Sequence, residues 1–350
     1  MQSLKKYLAG TIVCFLAIIT TPSLAQNLDN PGEYMTAITK ARGDMDTKYM
    51  QYLSAAAHGR RARKVEKLRQ EVLDNITQSR YKVTDLPIYK GDNSLRKGTI
   101  DYIQLCYTVF AEDYKKIVNM EELAEQSVDE MQAYLLLQDK VNEKLNEASD
   151  KLQKISTDFA AKYKVNIINE KSEFSEKMET AGKLNRYTNA VYLCFFKSNW
   201  EDGKMTEAMN NKKVNDVEQA RNALINYANE GLKALDTLKA FEGDPSLAGA
   251  CRQALEFYKK TAEKDIPKLT DFYLKQEDFA KLKKSFDDKP ASSRTQEEVN
   301  AYNKAVKDVN GAIGSFNQTN GMINNGRTQV INNWTDTEKR FADTHMPHYR

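Results

Sequence analysis

At 350 residues the chain is long enough for about two domains. An apolar share of 41 % supplies a core, while 15 Gly and 7 Pro are too few for an all-β fold built on many tight turns. The formal charge of +3 falls to +1 once Lys5 and Lys6 leave with the leader, which argues against bulk attraction to nucleic acid.

Residues 1–25 read as a secretory signal peptide. Lys5 and Lys6 give the positive start, an apolar run extends from about Tyr7 to Ile19, and Ser23-Leu24-Ala25 offers small residues where a signal peptidase cuts, so cleavage is expected after about Ala25. The run is too short to span a bilayer, and no later stretch is long and apolar enough. Cys14 lies inside the apolar run behind Val13, the wrong context for lipidation. The expected location is the periplasm or the cell surface, with no transmembrane segment after cleavage.

A first helix is expected from about Glu33 to Ala57, where Tyr34, Ile38, Ala41, Met45, Tyr49 and Leu53 recur at helical spacing. Gly59 and the basic cluster Arg60-Arg61-Ala62-Arg63-Lys64 mark its end; a solvated junction explains the cluster better than an anion site, since no aromatic residue is interleaved. The second helix is expected over 61–80, with Val65, Leu68, Val72 and Ile76 on one face. A connector over 81–91 follows, its apolar Val83, Leu86, Ile88 and Tyr89 placed over the end of the bundle. Asp92 is an N-cap for the third helix, because its carboxylate can accept the free N–H groups of the first turn. The fourth helix is expected over 121–163, where Val141, Leu145, Ala148, Leu152, Ile155 and Phe159 alternate steps of four and three. Residues 164–171 are a linker candidate, or else the fourth helix runs straight into the fifth.

The stretch from Val65 to Met120 recurs without a gap 152 positions later, from Val217 to Phe272. Glu66 and Arg69 reappear as Glu218 and Arg221, and the turn Gly91-Asp92-Asn93-Ser94-Leu95 as Gly243-Asp244-Pro245-Ser246-Leu247. The second half is therefore expected to repeat four helices. The first covers 174–199 and is closed by Trp200 to Gly203; the next begins at Lys204; the third starts at Asp244 and is bent or broken at Pro267. Lys289 to Ser293 is a loop without counterpart in the first half. The last helix carries Val299, Tyr302, Val306, Val309, Ile313 and Phe316, is interrupted by the Asn- and Gly-rich 317–326, and resumes through Trp334 and Phe341. The whole reads as all-α: two tandem, internally duplicated four-helix bundles, covering 26–168 and 169–350 behind the leader.

Catalytic chemistry finds little to use. His58, His345 and His348 are the only histidines, and none lies in the repeated core. His345 and His348 have a metal-compatible spacing, but Pro347 separates them near the chain end, which reads as a frayed tail. Glu-x-x-His, needed for a di-metal bundle, does not occur, nor do a Gly-rich phosphate loop or a nucleophile elbow. No catalytic, cofactor-binding or metal residue is assigned, and no cofactor is expected. Cys106, Cys194 and Cys251 read as buried thiols, with a bridge between Cys194 and Cys251 left open. The repeated Glu–Arg pairs and turns read as structural. Tyr187, Tyr192, Phe195, Phe196 and Trp200 surround more than one helix face, so some of them lie at an inter-bundle seam or are exposed. Tyr187, Tyr192, Phe196 and Trp200 are thus the candidate partner or ligand patch.

The mature chain also resembles a family of bacterial surface proteins with a cleaved signal, an all-helical body and no assigned activity. The resemblance lies in Asn30-Pro31-x-x-Tyr34, the two Gly-Asp-x-Ser-Leu turns, Asp113-Tyr114, and Trp334 with His345-Met346-Pro347. It implies an extracytoplasmic location and transfers no catalytic residue. The resulting expectation is a non-catalytic, extracytoplasmic binding protein with an unknown envelope partner or ligand and no nucleic-acid partner. The alternatives are a membrane-active, toxin-like helical protein, for which Ala190–Phe196 is too short an insert, and a metal-binding bundle.

Overall fold

The computed structural model describes residues 28–57, 62–113, 116, 126–167 and 173–348. The segment expected to be a signal peptide, the centre of the basic cluster around Arg60, and most of 114–125 lie outside the described residues. Among those described, the fold is all-α, interrupted only by two isolated β-bridges.

The first four helices are α1 (Pro31–Ala57), α2 (Ala62–Asp85), α3 (Ser94–Thr108) and α4 (Val128–Lys162). Asn30 caps α1, accepting from the N–H groups of Gly32 and Glu33 at 2.8 and 3.2 Å, with Pro31 at the first position. Helix α2 runs five residues beyond the expected end at Arg80, because Val83 is wholly buried and the chain is helix-competent until Pro87 approaches. Ile88, expected over the bundle end, is half exposed instead. Helix α3 flows into a π-helical turn, Val109–Asp113, that the periodicity does not reveal. Ser127 caps α4 by accepting from Glu130 N–H at 3.1 Å. The helix does not continue into the next one. Lys164 sits at φ 56°, and the N–H groups of Lys164 and Val165 bond back to Ala161 and Ala160, a Schellman stop without glycine.

The remaining helices are α5 (Glu173–Asn210), α6 (Val214–Thr237), α7 (Ser246–Lys260), α8 (Ile266–Asp287) and α9 (Gln296–His345). Three expectations fail here. Gly203 does not close α5: the helix runs to Asn210 and stops where Lys212 enters φ 54° and the N–H of Lys213 reaches Ala208 O at 2.9 Å. Pro267 does not break the chain, since a π turn, Thr261–Asp265, precedes it and leaves Pro267 in the first turn of α8. Residues 317–326 do not interrupt α9, which is continuous over 50 residues, about 75 Å long.

Corresponding elements keep the spacing of the sequence repeat. The bounds of α2, α3 and the first π turn, moved by 152, are those of α6, α7 and the second π turn. Lys90 and Gly91 (φ 47° and 82°) match Glu242 and Gly243 (φ 49° and 84°), and the bridge Tyr89–Asp92 matches Phe241–Asp244. At the ends of the units the shift changes. Tyr34 corresponds to Tyr187, each tilted against the aromatic residue of the turn and stacked on a Phe of the last helix, Phe159 or Phe341. The last pair is 182 apart, so the second half holds about thirty extra residues between its third and last core helices.

Helix α1 packs on α2, α2 on α3, and α3 on α4; α5 packs on α6 and α7, α6 on α7, and α7 on α9. Residues from Ala181 to Met346 share one continuous core, including Val191, Leu224, Leu255, Tyr258 and Trp334. The first half divides its core into smaller clusters around Ile103, Phe159 and Val141.

Candidate functional site

The aromatic patch is not an open cleft. Tyr187 is buried between Phe241 and Phe341, and Phe195 lies flat on Trp334 at 4.4 Å. Phe196 is buried too, against Val128, Met131 and Leu135 of α4, with Tyr192 and Trp200 half-buried beside it. The residues proposed as a partner surface therefore divide between the second core and a seam joining α4 to α5. These aromatic residues of α5 thus find apolar neighbours on two of its faces within the chain.

The repeated turns act as clamps. Asp92 accepts from Ser94 N–H at 2.9 Å, from Lys162 Nζ at 2.7 Å and from Tyr163 OH at 3.1 Å. These bonds, led by that from Lys162, hold its carboxyl well below the usual carboxylate range. Asp244 accepts from Ser246 N–H at 2.8 Å, and His345 Nε2 lies 2.9 Å from its other oxygen, again lowering the carboxyl. His345 is thus no frayed tail residue. It ends α9, packs on Phe241 and Phe341, and fastens the chain end to the turn. The Glu–Arg pairs are anchors as well: Arg69 and Arg221 hold Glu66 and Glu218 at 2.8 Å and point Nη1 at Phe110 O and Ala262 O, each in a π turn. Cys106, Cys194 and Cys251 are free. Burial pushes the Cys106 thiol up to about 12 and the other two upward, which leaves them poor nucleophiles at neutral pH. Among the described residues, no group of three His, Cys, Asp or Glu side chains is placed to hold a metal ion, and no helix is long and apolar enough to cross a membrane.

Two other features belong to the second half alone. The first is an arm made by α8 beyond Phe272 and α9 before Thr319. No residue from 273 to 318 is buried, although the inner stripe is aromatic. Phe272 meets Phe316 at 4.5 Å, Phe279 meets Tyr302 at 5.8 Å and Phe286 meets Tyr302 at 4.4 Å. The tip is fixed by the Thr295/Glu298 capping box, by the Lys289–Glu298 pair and by Arg294 over the Phe286 ring. This is a helical hairpin with limbs of about 22 Å on α8 and about 35 Å on α9, standing beyond the core. Leu274 and Ile313 remain 48 % and 39 % exposed on it. The periodic stripe was readable in the sequence; that it faces only one neighbour was not.

The second feature is a cleft of about 440 Å³ between the end of α5 and the start of α6, lined by Glu201, Lys204, Glu207, Lys213, Asp216 and Ala223 among others. The Glu201 side chain is only 8 % exposed. Lys204 Nζ approaches one of its oxygens at 3.4 Å; the other is buried and has no hydrogen-bond partner. On the next residue of the helix, Asp202 holds Arg327 of α9 (2.9 Å from Nη2), and nearby Tyr258 donates to Asn199 at 2.8 Å. Sequence reasoning missed this polar group. Its only signal was Arg327 standing where the seam pattern of α4 has Leu145.

Comparison with protein-family models, with curated proteins and with solved structures finds no match.

Proposed function

We propose that the chain is an extracytoplasmic, non-catalytic binding protein of the bacterial cell envelope, built from two copies of one four-helix unit, and that its arm engages an amphipathic helix of a partner protein. The location rests on the leader and on the resemblance to secreted surface proteins, and the duplication on the matched element bounds and turns. The observation that carries the binding role is the arm. Every core helix of the second half packs on at least two others, whereas 273–318 forms a lone helix pair with half-exposed aromatic residues. Two helices cannot close off a stripe that a third or fourth helix would cover. Leu274 on α8 and Ile313 on α9 add exposed apolar surface beside that stripe, the kind of face an amphipathic helix packs on.

Photo-crosslinking residues placed at Leu274, Phe279 and Ile313 in the exported chain test this. The expected result is a discrete protein adduct from the arm positions and none from exposed Lys151 or Lys233. Equal adducts at arm and control positions, or none at the arm, would overturn the reading.

A further inference from the structure

The two halves treat one position differently. In the first, Lys48 of α1 reaches across to Glu71 of α2, with Nζ 3.0 Å from Oε2. The pair bridges the two helices with an ammonium group against a carboxylate. The repeat carries Lys48 to Glu201, using the one-residue longer shift that relates Tyr34 to Tyr187, and Glu71 to Ala223. Both of those residues line the cleft. The second half has kept a carboxylate at this place, moved it to the other helix, and replaced its partner by a methyl group. Ala223 leaves room in the cleft where the first half has a carboxylate side chain, and the second oxygen of Glu201 is left without a donor.

A buried acceptor without a donor is destabilising, and more so when charged. Lys204 does not settle it, being one turn away on the same helix, mostly exposed and bonded to the other oxygen. The remaining lining is also short of cations. Lys213 lies 3.8 Å from Asp216, while Glu207 adds a further carboxylate. Six residues separate Glu201 from Glu207 on α5, about 9 Å along the axis. The volume falls within the usual range for small-ligand sites. Among the described residues the acidic groups here do not converge as a metal cage would. We propose that this cleft binds a small organic amine, whose protonated primary ammonium donates to Glu201 and takes the place that the Lys48 ammonium occupies between the helices of the first half. An ammonium has three donors and a single positive charge, so it answers one buried carboxylate oxygen without needing octahedral or tetrahedral ligands.

Isothermal titration of the exported chain with putrescine and ethanolamine tests this, with butanediol as the uncharged control and magnesium as the inorganic cation. The expected result is saturable binding of an amine at one site per chain, no binding of butanediol, and affinity weakened about tenfold or more in Glu201→Gln. Ala223→Lys provides a second variant that does not remove the carboxylate. Its own ammonium is expected to reach Glu201, abolish amine binding and raise the melting temperature. Absence of saturable binding by either amine, binding of butanediol or magnesium in place of the amines, or binding unchanged in both variants would overturn the proposal.

Discussion

Asp92 and Asp244 show how much one side chain is asked to do. Each takes the N–H of the residue two positions on and a side chain from the end of the last helix, the Lys162 ammonium or the His345 ring. Both carboxyls are held below their ordinary value, so the folded chain binds these protons less readily than the unfolded chain. The stabilisation is therefore complete above the unfolded carboxylate pKa, about 3.9, and is lost as pH falls through the lower folded values. Asp92→Asn should lower stability at neutral pH and flatten the loss on acidification below about pH 4, as read from urea midpoints across that range. A variant with the wild-type acid slope would show that the carboxylate is not the titrating clamp. The turn was legible because a left-handed position selects Gly91 and Gly243, but Asp92 is not the N-cap expected: that position falls on Asn93, and on Pro245 in the second half, so Asp92 and Asp244 stand one residue outside it. The clamp's other half was not legible, since Lys162 and His345 differ in type and lie 70 and 101 residues from their carboxylates.

At the scale of the element, the helix stops explain which boundaries were readable. Gly203 looks like a breaker, yet it has a helical backbone and open space around it; the true stop falls on Lys212, a residue with no turn signature, where two carbonyls are captured. Helix α9 makes the same point in reverse. Its Asn- and Gly-rich middle has poor intrinsic propensity, but Ile323 within it and Trp334 beyond it are buried and hold the helix in register. The glycines of that stretch are not equivalent. A Cβ on Gly326 would meet Phe257 Cε2 at 2.4 Å, whereas Gly311, Gly314 and Gly321 have nothing within 4 Å. Gly326→Ala should cost about 1–3 kcal/mol by overpacking. Gly314→Ala and Gly321→Ala should each stabilise by about 0.5–1 kcal/mol through helix propensity and a less free unfolded chain. Denaturant unfolding of the three variants checks the contrast. A gain from Gly326→Ala, or a loss from the other two, would mean that α9 is packed differently along its middle.

For the whole molecule, the question is how two units with separate cores behave as one. The all-α class and the matched bounds of the central helices followed from the sequence, because stripes and turn residues recur 152 positions apart. The seam could not be assigned, since an aromatic residue facing another unit has the same spacing as one facing solvent. Phe196 illustrates this: it packs against Val128, Met131 and Leu135 across the seam and on Trp200 of its own helix, yet stands outside both main cores. The seam is small beside the continuous core running from Ala181 to Met346, and the chain between α4 and α5 leaves helix at Lys164 rather than continuing as a rod. Coupling between the units thus depends on a few side chains. Phe196→Ala removes the central one, at a cost of about 3 kcal/mol for a buried ring, and takes little from either core. Calorimetry of this variant should resolve two unfolding transitions where the parent unfolds in one. Phe341→Ala, which empties the second core instead, should lower the melting of that unit and leave the first unchanged in the Phe196→Ala background. One undivided transition in Phe196→Ala, shifted as a whole, would show that the units exchange stability through more than this seam.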